Sequence, residues 1–146
     1  MADADFPVTI YHNPECGTSR NVLAIIEAAG YRPNIVEYLV KGWTRPQLLA
    51  LFKAAGVTAR EALREKKSPG AELGLLDPSI SDEQLIDQML RHPILVNRPF
   101  VETPKGTRLC RPDSALVLDL LERLPEGPFA KEDGTLLIDA EGRRVG

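Results

Sequence analysis

Between Val8 and Leu39 the hydrophobic period of the chain changes twice, and that stretch limits the fold more than any other. Val8-Thr9-Ile10-Tyr11 alternates and is β-branched, the pattern of a short strand. Val22, Leu23, Ile25, Ile26 and Ala29 then recur at helical spacing, and Gly30 ends the run. Ile35-Val36-Glu37-Tyr38-Leu39 reads as a second strand. Strand, helix and strand in so short a span form a crossover unit. The right-handed crossover rule makes its two strands parallel if they share a sheet.

The remainder fills in around that unit. Thr44-Arg45-Pro46-Gln47 has the pattern of a capping box with proline near the helix start, and Leu48, Leu51, Phe52 and Ala55 follow on one face before Gly56. Thr58-Ala59-Arg60-Glu61 predicts a shorter helix carrying Leu63 and Arg64, and Lys66 to Pro78 reads as a loop. Ser81-Asp82-Glu83-Gln84 caps a further helix with Leu85, Ile86, Met89 and Leu90 inward. Ile94-Leu95-Val96 reads as a compact strand that breaks at Arg98-Pro99. Phe100 to Thr103 continues extended, Pro104-Lys105-Gly106 turns, and Thr107 to Cys110 returns as an antiparallel partner. Pro112-Asp113 opens a helix with Leu116, Val117, Leu120, Leu121 and Leu124, and Asp133-Gly134 turns a small hairpin against Leu136-Leu137-Ile138. The order is β-α-β, a helical insert over about 44–91, then β-β-α. It predicts an α/β fold: a thioredoxin-like mixed sheet with helices on both faces and a helical insertion, in one domain of 146 residues.

Chemistry concentrates in Tyr11-His12-Asn13-Pro14-Glu15-Cys16-Gly17-Thr18-Ser19-Arg20, a polar turn between the first strand and its helix. A thiol at a helix N-terminus faces the positive end of the macrodipole and free backbone N–H groups. Both favour thiolate and make the site receptive to an anion. Glu15 acts against this, since an adjacent carboxylate raises a thiol pKa. C-G-T-S keeps the spacing of a C-x-x-C motif but puts Ser19 where the second thiol would stand. Such a site closes no disulfide of its own, so an external thiol must resolve any sulfur adduct. The competing reading of Cys16 is a small buried hydrophobe. His12 likewise has two readings: protonated, it stabilises the thiolate; neutral, it hydrogen-bonds the turn. Asn13, Thr18 and Ser19 are placed to reach the sulfur or cap the helix, with capping the simpler role for Thr18 or Ser19. Arg20 reads as a solvated surface charge.

Three arginines stand at structural transitions: Arg64 late in a short helix, Arg98 before Pro99, and Arg111 before Pro112. Arginine's planar fork holds an oxyanion through paired hydrogen bonds. Set around a thiolate, the three would bind an anion; set on the surface, they would form weak ion pairs. Cys110, beside apolar Leu109, reads as structural, and His92 sits at a helix end with no catalytic signal. Two cysteines and two histidines, scattered, make no metal-ligand pattern. A net charge of -3 and few aromatics argue against nucleic-acid binding. The acidic N-terminus has no apolar signal core, no run approaches membrane-spanning length, and the expectation is a cytoplasmic protein with reduced thiols.

The chain resembles the glutaredoxin-coupled arsenate reductases, the ArsC family. The resemblance rests on Y-H-N-P-E-C-G-T-S-R at Tyr11 to Arg20, A-L-R at Ala62 to Arg64 and Q-L-I-D at Gln84 to Asp87. It continues in H-P-I-L-V-N-R-P at His92 to Pro99, T-P-K-G-T-R-L-C-R-P at Thr103 to Pro112 and F-A-K-E-D-G at Phe129 to Gly134. The resemblance implies an enzyme that reduces arsenate to arsenite with Cys16 as nucleophile and His12 lowering its pKa. It implies Ser19 hydrogen-bonding the thiolate, and Arg64, Arg98 and Arg111 binding the oxyanion. It also implies a cis Arg98-Pro99 bond, glutathione as co-substrate and glutaredoxin as partner, with no bound cofactor or metal. Glu15 departs from the family, which more often has a small or basic residue there. Two relatives by fold offer other functions: a glutathione-dependent mixed-disulfide reductase, and a redox-linked regulator that binds RNA polymerase. The three arginines argue against the first and Ser19 against the second. A low-molecular-weight phosphatase loop is absent, since Asn21 stands where its arginine would be.

Overall fold

The computed structural model of the chain describes residues 6–66 and 68–145. The acidic stretch before Phe6, and Lys67 of the predicted loop, lie outside the described residues. The described chain divides into two compact units. One joins the residues up to Glu37 with those from Arg98 onward; the other is Tyr38–Asn97.

The first unit is built on the crossover. β1 (Thr9–Tyr11), α1 (Gly17–Ala28) and β2 (Asn34–Val36) follow in order, and β1 pairs with β2 in parallel, Ile10 opposite Ile35. β3 (Phe100–Thr103) lies antiparallel on the other side of β1, with β4 (Gly106–Leu109) beyond it, giving the sheet order β2-β1-β3-β4. α1 buries Val22, Ile25 and Ile26 in a core that includes Ile10, Val101, Val117 and Ile138. The apolar face read from periodicity is therefore the face that packs.

Two elements differ from expectation here. The second strand ends at Val36, and Tyr38–Lys41 is a short helix, α2, of the second unit. Tyr38 is fully buried with its ring 5.0 Å from Trp43 and its hydroxyl donating to the Val96 carbonyl at 3.2 Å, so tertiary burial overrides the alternating pattern. The helix after Pro112 is a 3-10 helix, Ser114–Leu120, opened by the Asp113 carboxylate accepting from the Ala115 N–H at 3.0 Å. Its buried pairs Val117/Leu120 and Leu118/Leu121 are three apart, the spacing that eclipses in a 3-10 helix, and Leu124 lies beyond it, exposed. The predicted hairpin does form, from β5 (Phe129–Ala130) and β6 (Leu136–Ile138). Leu137 and Ile138 join the core, and Gly127 permits the close approach at the hairpin base: a Cβ there would lie 1.7 Å from the Asp139 carbonyl oxygen.

The second unit holds α2, α3 (Arg45–Ala55) and α4 (Asp82–Arg91). Both long helices start with the predicted capping boxes, Thr44 with Gln47 and Ser81 with Gln84, and Gly56 ends α3 at φ 70°. Leu48, Leu51 and Phe52 of α3 and Leu85, Ile86 and Met89 of α4 are buried. The expected short helix from Thr58 does not propagate. Thr58 and Glu61 exchange capping hydrogen bonds, but the Ala62 carbonyl accepts from the Asn97 N–H at 2.8 Å and the Arg64 N–H donates to the Leu95 carbonyl at 2.7 Å. The segment is drawn into a bridge between Leu63 and Val96. The predicted strand Ile94–Val96 is replaced by a 3-10 helix, Pro93–Leu95, because proline is preorganised for a first helical turn and only Val96 finds a bridge partner. Among the described residues no helix is long and apolar enough to cross a membrane.

Candidate active site

As the chain leaves β1, the His12 N–H still donates to the Val36 carbonyl, at 2.8 Å. The turn then closes on itself. Asn13 Oδ1 accepts from the Glu15 N–H at 2.9 Å, and the Cys16 N–H donates to the Asn13 carbonyl at 3.0 Å. Cys16 is the N-cap residue of α1, with its carbonyl accepting from the Arg20 N–H at 2.9 Å, and no side chain caps that helix end. The capping expected of Thr18 or Ser19 is therefore not found. The Ser19 hydroxyl is turned inward: it accepts from the Asn13 N–H at 3.1 Å and meets His12 Nδ1 at 2.6 Å. His12, Asn13 and Ser19 are all buried, so each bond replaces water that is not available. Asn13, expected to reach the sulfur or cap the helix, braces the turn instead.

Cys16 lies just below the surface, 8% exposed. Burial pushes its pKa up. Against this, the Ser19 N–H, the Arg98 guanidinium through a hydrogen bond and its charge, and Arg111 pull it down, and together they bring the thiol to about 7. Arg111 Nη1 stands 3.6 Å from the sulfur and also donates to the Arg98 carbonyl at 3.1 Å. The two arginines flank the β3–β4 hairpin, and the pairing of Phe100 with Leu109 brings its ends, and so both side chains, to the thiol. The Arg98-Pro99 peptide is cis, as expected, and so is Arg111-Pro112. Ser19 thus serves the sulfur with its backbone N–H, while its hydroxyl serves His12. Burial holds His12 below the usual histidine range, against the raising influence of Glu37. At neutral pH its ring is neutral, which selects the hydrogen-bonding reading over the cationic one. Glu15 is exposed.

A model of the ArsC family matches residues 11–117. The chain belongs to the ArsC family. It is similar to the arsenate reductase ArsI2 of Synechocystis sp., 64% identical over 94% of this chain and 98% of that protein. It is also similar to arsenate reductases of Rhizobium meliloti, 61% identical over 94% and 98%, and of Escherichia coli, 49% identical over 94% and 97%. Among solved structures, an arsenate reductase from Vibrio cholerae superposes with a TM-score of 0.74 at 36% identity, covering 80% of this chain and 98% of that one. The mixed sheet is thus the thioredoxin-like fold of ArsC proteins.

Five of the six singled-out residues of this ArsC chain, Cys16, His12, Ser19, Arg98 and Arg111, belong to the first unit and converge on one turn. Arg64 belongs to the second unit, half-buried, with its carbonyl accepting from the Ser68 hydroxyl. Cys110 is fully buried and burial pushes its thiol up to about 12, so it is inert. Among the described residues no group of three His, Cys, Asp or Glu side chains is arranged to hold a metal ion. Two residues of the site have roles other than those read from sequence. The Asn13-Pro14 dipeptide is a turn signal that points to the brace. Arg20, read as a solvated charge, is engaged with Glu132 and with the turn itself.

Proposed function

We propose that this ArsC protein is an arsenate reductase that takes arsenate, As(V), to arsenite, As(III), through a thiolate–arsenic adduct on Cys16. The observation that carries the reading is a cysteine with its pKa near 7, set at a helix N-terminus beside Arg98 and Arg111. That combination holds a nucleophile and a tetrahedral oxyanion together. The curated relatives named above, matched over nearly their whole length, carry the same activity in their names.

In the proposed sequence arsenate is held at Cys16 by Arg98 and Arg111, and Arg64 is proposed as a third arginine for the oxyanion, as the family resemblance implies. The Cys16 thiolate attacks arsenic, an S–As bond forms and an oxygen leaves as water after protonation. Arsenic is still As(V) at this point. Glutathione adds to the arsenic as a second thiol ligand, expelling another oxygen as water. The glutaredoxin thiolate then attacks the glutathione sulfur: the glutathione S–As bond breaks, a glutathione–glutaredoxin disulfide leaves, and the bonding pair stays on arsenic, which becomes As(III). Water then displaces the Cys16 sulfur from arsenic, releasing arsenite and the free thiol. Ser19, where a C-x-x-C motif would carry its second thiol, makes this dependence on outside thiols necessary, because the motif gives Cys16 no thiol to pair with. His12, through Ser19, holds the turn that presents the sulfur. The setting that keeps glutathione and thiols reduced is the cytoplasm, and the protein is proposed to work there.

The test is arsenate reduction with glutathione and glutaredoxin, read as NADPH consumption through glutathione reductase. Turnover is expected to require both thiol partners and to vanish in Cys16→Ser. A folded, thiol-reactive protein that reduces glutathione mixed disulfides but not arsenate would place it instead among the disulfide reductases of this fold.

A further inference from the structure

The strongest feature outside the residues already assigned is a clamp on the catalytic turn from a distant segment. Arg20 Nε and Nη2 donate to the two carboxylate oxygens of Glu132 at 2.8 and 3.1 Å, across 112 positions of sequence. The third nitrogen of the same fork, Nη1, donates to the Pro14 carbonyl at 2.9 Å. The opposite edge of that peptide, the Glu15 N–H, is held by Asn13 Oδ1 at 2.9 Å. The Pro14–Glu15 peptide plane, one residue before Cys16, is therefore pinned at both edges. Glu132 is itself fixed. Its N–H donates to Asn21 Oδ1 at 3.0 Å, and the surrounding hairpin loop is closed by Lys131 N–H to the Thr135 carbonyl at 2.9 Å.

We propose that Glu132 is a positioning residue for the catalytic turn: it locks the Arg20 fork, and Arg20 in turn locks the Pro14–Glu15 peptide that sets the direction of Cys16. The inference rests on Cys16 being the reacting group, as proposed above. Stability does not account for the arrangement, because a solvent-exposed ion pair contributes little. The Arg20 fork is also largely committed within the protein, with three of its five N–H groups already donating to Glu132 and Pro14. Release of the Pro14 carbonyl lets the plane rotate, loosens the first turn of α1 and weakens the Ser19 N–H contact with the sulfur. The thiolate then loses support.

Positioning and simple electrostatics give opposite signs for one variant, and this makes the proposal testable. Removing the carboxylate in Glu132→Gln takes a negative charge away from the site, which alone would lower the Cys16 pH midpoint. Loss of positioning raises it. The midpoint is read from the pH dependence of Cys16 reaction with a neutral disulfide, and turnover from the coupled arsenate assay. Expected for Glu132→Gln is an upward midpoint shift of about half a pH unit and a kcat about fivefold lower, with the arsenate KM within about twofold. The exchanged pair, Arg20→Glu with Glu132→Arg, restores an ion pair but offers no donor to the Pro14 carbonyl, so it is expected to stay impaired in both readouts. A midpoint that falls or stays put in Glu132→Gln, or full recovery in the exchanged pair, overturns the proposal. The midpoint needs no arsenate turnover, so a wild-type protein inert towards arsenate would sink the functional reading and leave this test standing.

Discussion

Replacing Arg98 by alanine takes from Cys16 both a hydrogen bond and a positive charge, two of the influences that hold its thiol near 7. Burial, which pushes the thiol up, remains, opposed only by the Ser19 N–H and Arg111. The midpoint is then expected at or above the ordinary cysteine value of about 8.5. At pH 7 the thiolate fraction falls from about one half to about 3%, roughly fifteenfold. The more basic thiolate is the better nucleophile. With a Brønsted slope of about 0.45, a rise of about 1.5 pH units makes each thiolate about fivefold more reactive. Reaction with a neutral dipyridyl disulfide should therefore slow only about threefold at pH 7, and above about pH 9.5 the variant should outpace the wild type by about fivefold. The two pH–rate curves cross. Cys110, fully buried and pushed up to about 12, does not contribute to the signal. A midpoint for Arg98→Ala that stays near 7, or curves that never cross, would refute the account of how this thiolate is held. Arg111→Ala, which removes a hydrogen bond at 3.6 Å, should move the midpoint less.

Three further expectations concern the scaffold. His12 is held below its unfolded value by burial, so the unfolded chain binds more protons as pH falls through about 6.5; this part of the stability is complete above that pH and is lost below it. The urea midpoint of the wild type should thus drop more steeply between pH 7 and 5 than that of His12→Gln, and parallel curves would contradict a buried neutral imidazole. Ser19→Ala strands His12 Nδ1 and the buried Asn13 N–H, costing about 2 kcal/mol in urea unfolding, yet it keeps the backbone N–H at the sulfur and should shift the thiol midpoint less than Arg98→Ala does. Ile26→Ala, a cavity on the fully buried face of α1, should lower stability by about 2–5 kcal/mol as measured by denaturant unfolding.

Much of the framework is legible from local pattern. α1 and its buried face, the parallel β1–β2 pair, the β3–β4 hairpin and both capping boxes follow from periodicity, turn residues and caps, which act over a few residues. Elsewhere the structure departs from local pattern. Tyr38 leaves the strand pattern to bury its ring beside Trp43, and Thr58 opens a cap whose helix is displaced by pairing between Leu63 and Val96. In both, a long-range partner outcompetes a weak local preference. Ile94–Leu95 instead coil into a 3-10 helix behind Pro93, where the fixed proline backbone outweighs a short apolar run.

At the site the same division holds. Sequence by itself determined that one cysteine stands in a polar turn at a helix start without a second thiol, and its motifs determined the family. Only the tertiary structure decided which groups touch the sulfur. Arg98 and Arg111 reach it because β3 and β4 pair, the Ser19 hydroxyl turns to His12 and leaves the N–H for the thiolate, and Glu132 clamps Arg20 from the far end of the chain. A thiol pKa depends on charges and donors within a few ångströms. Arg111, 95 positions from Cys16, becomes such a neighbour only once the sheet has closed.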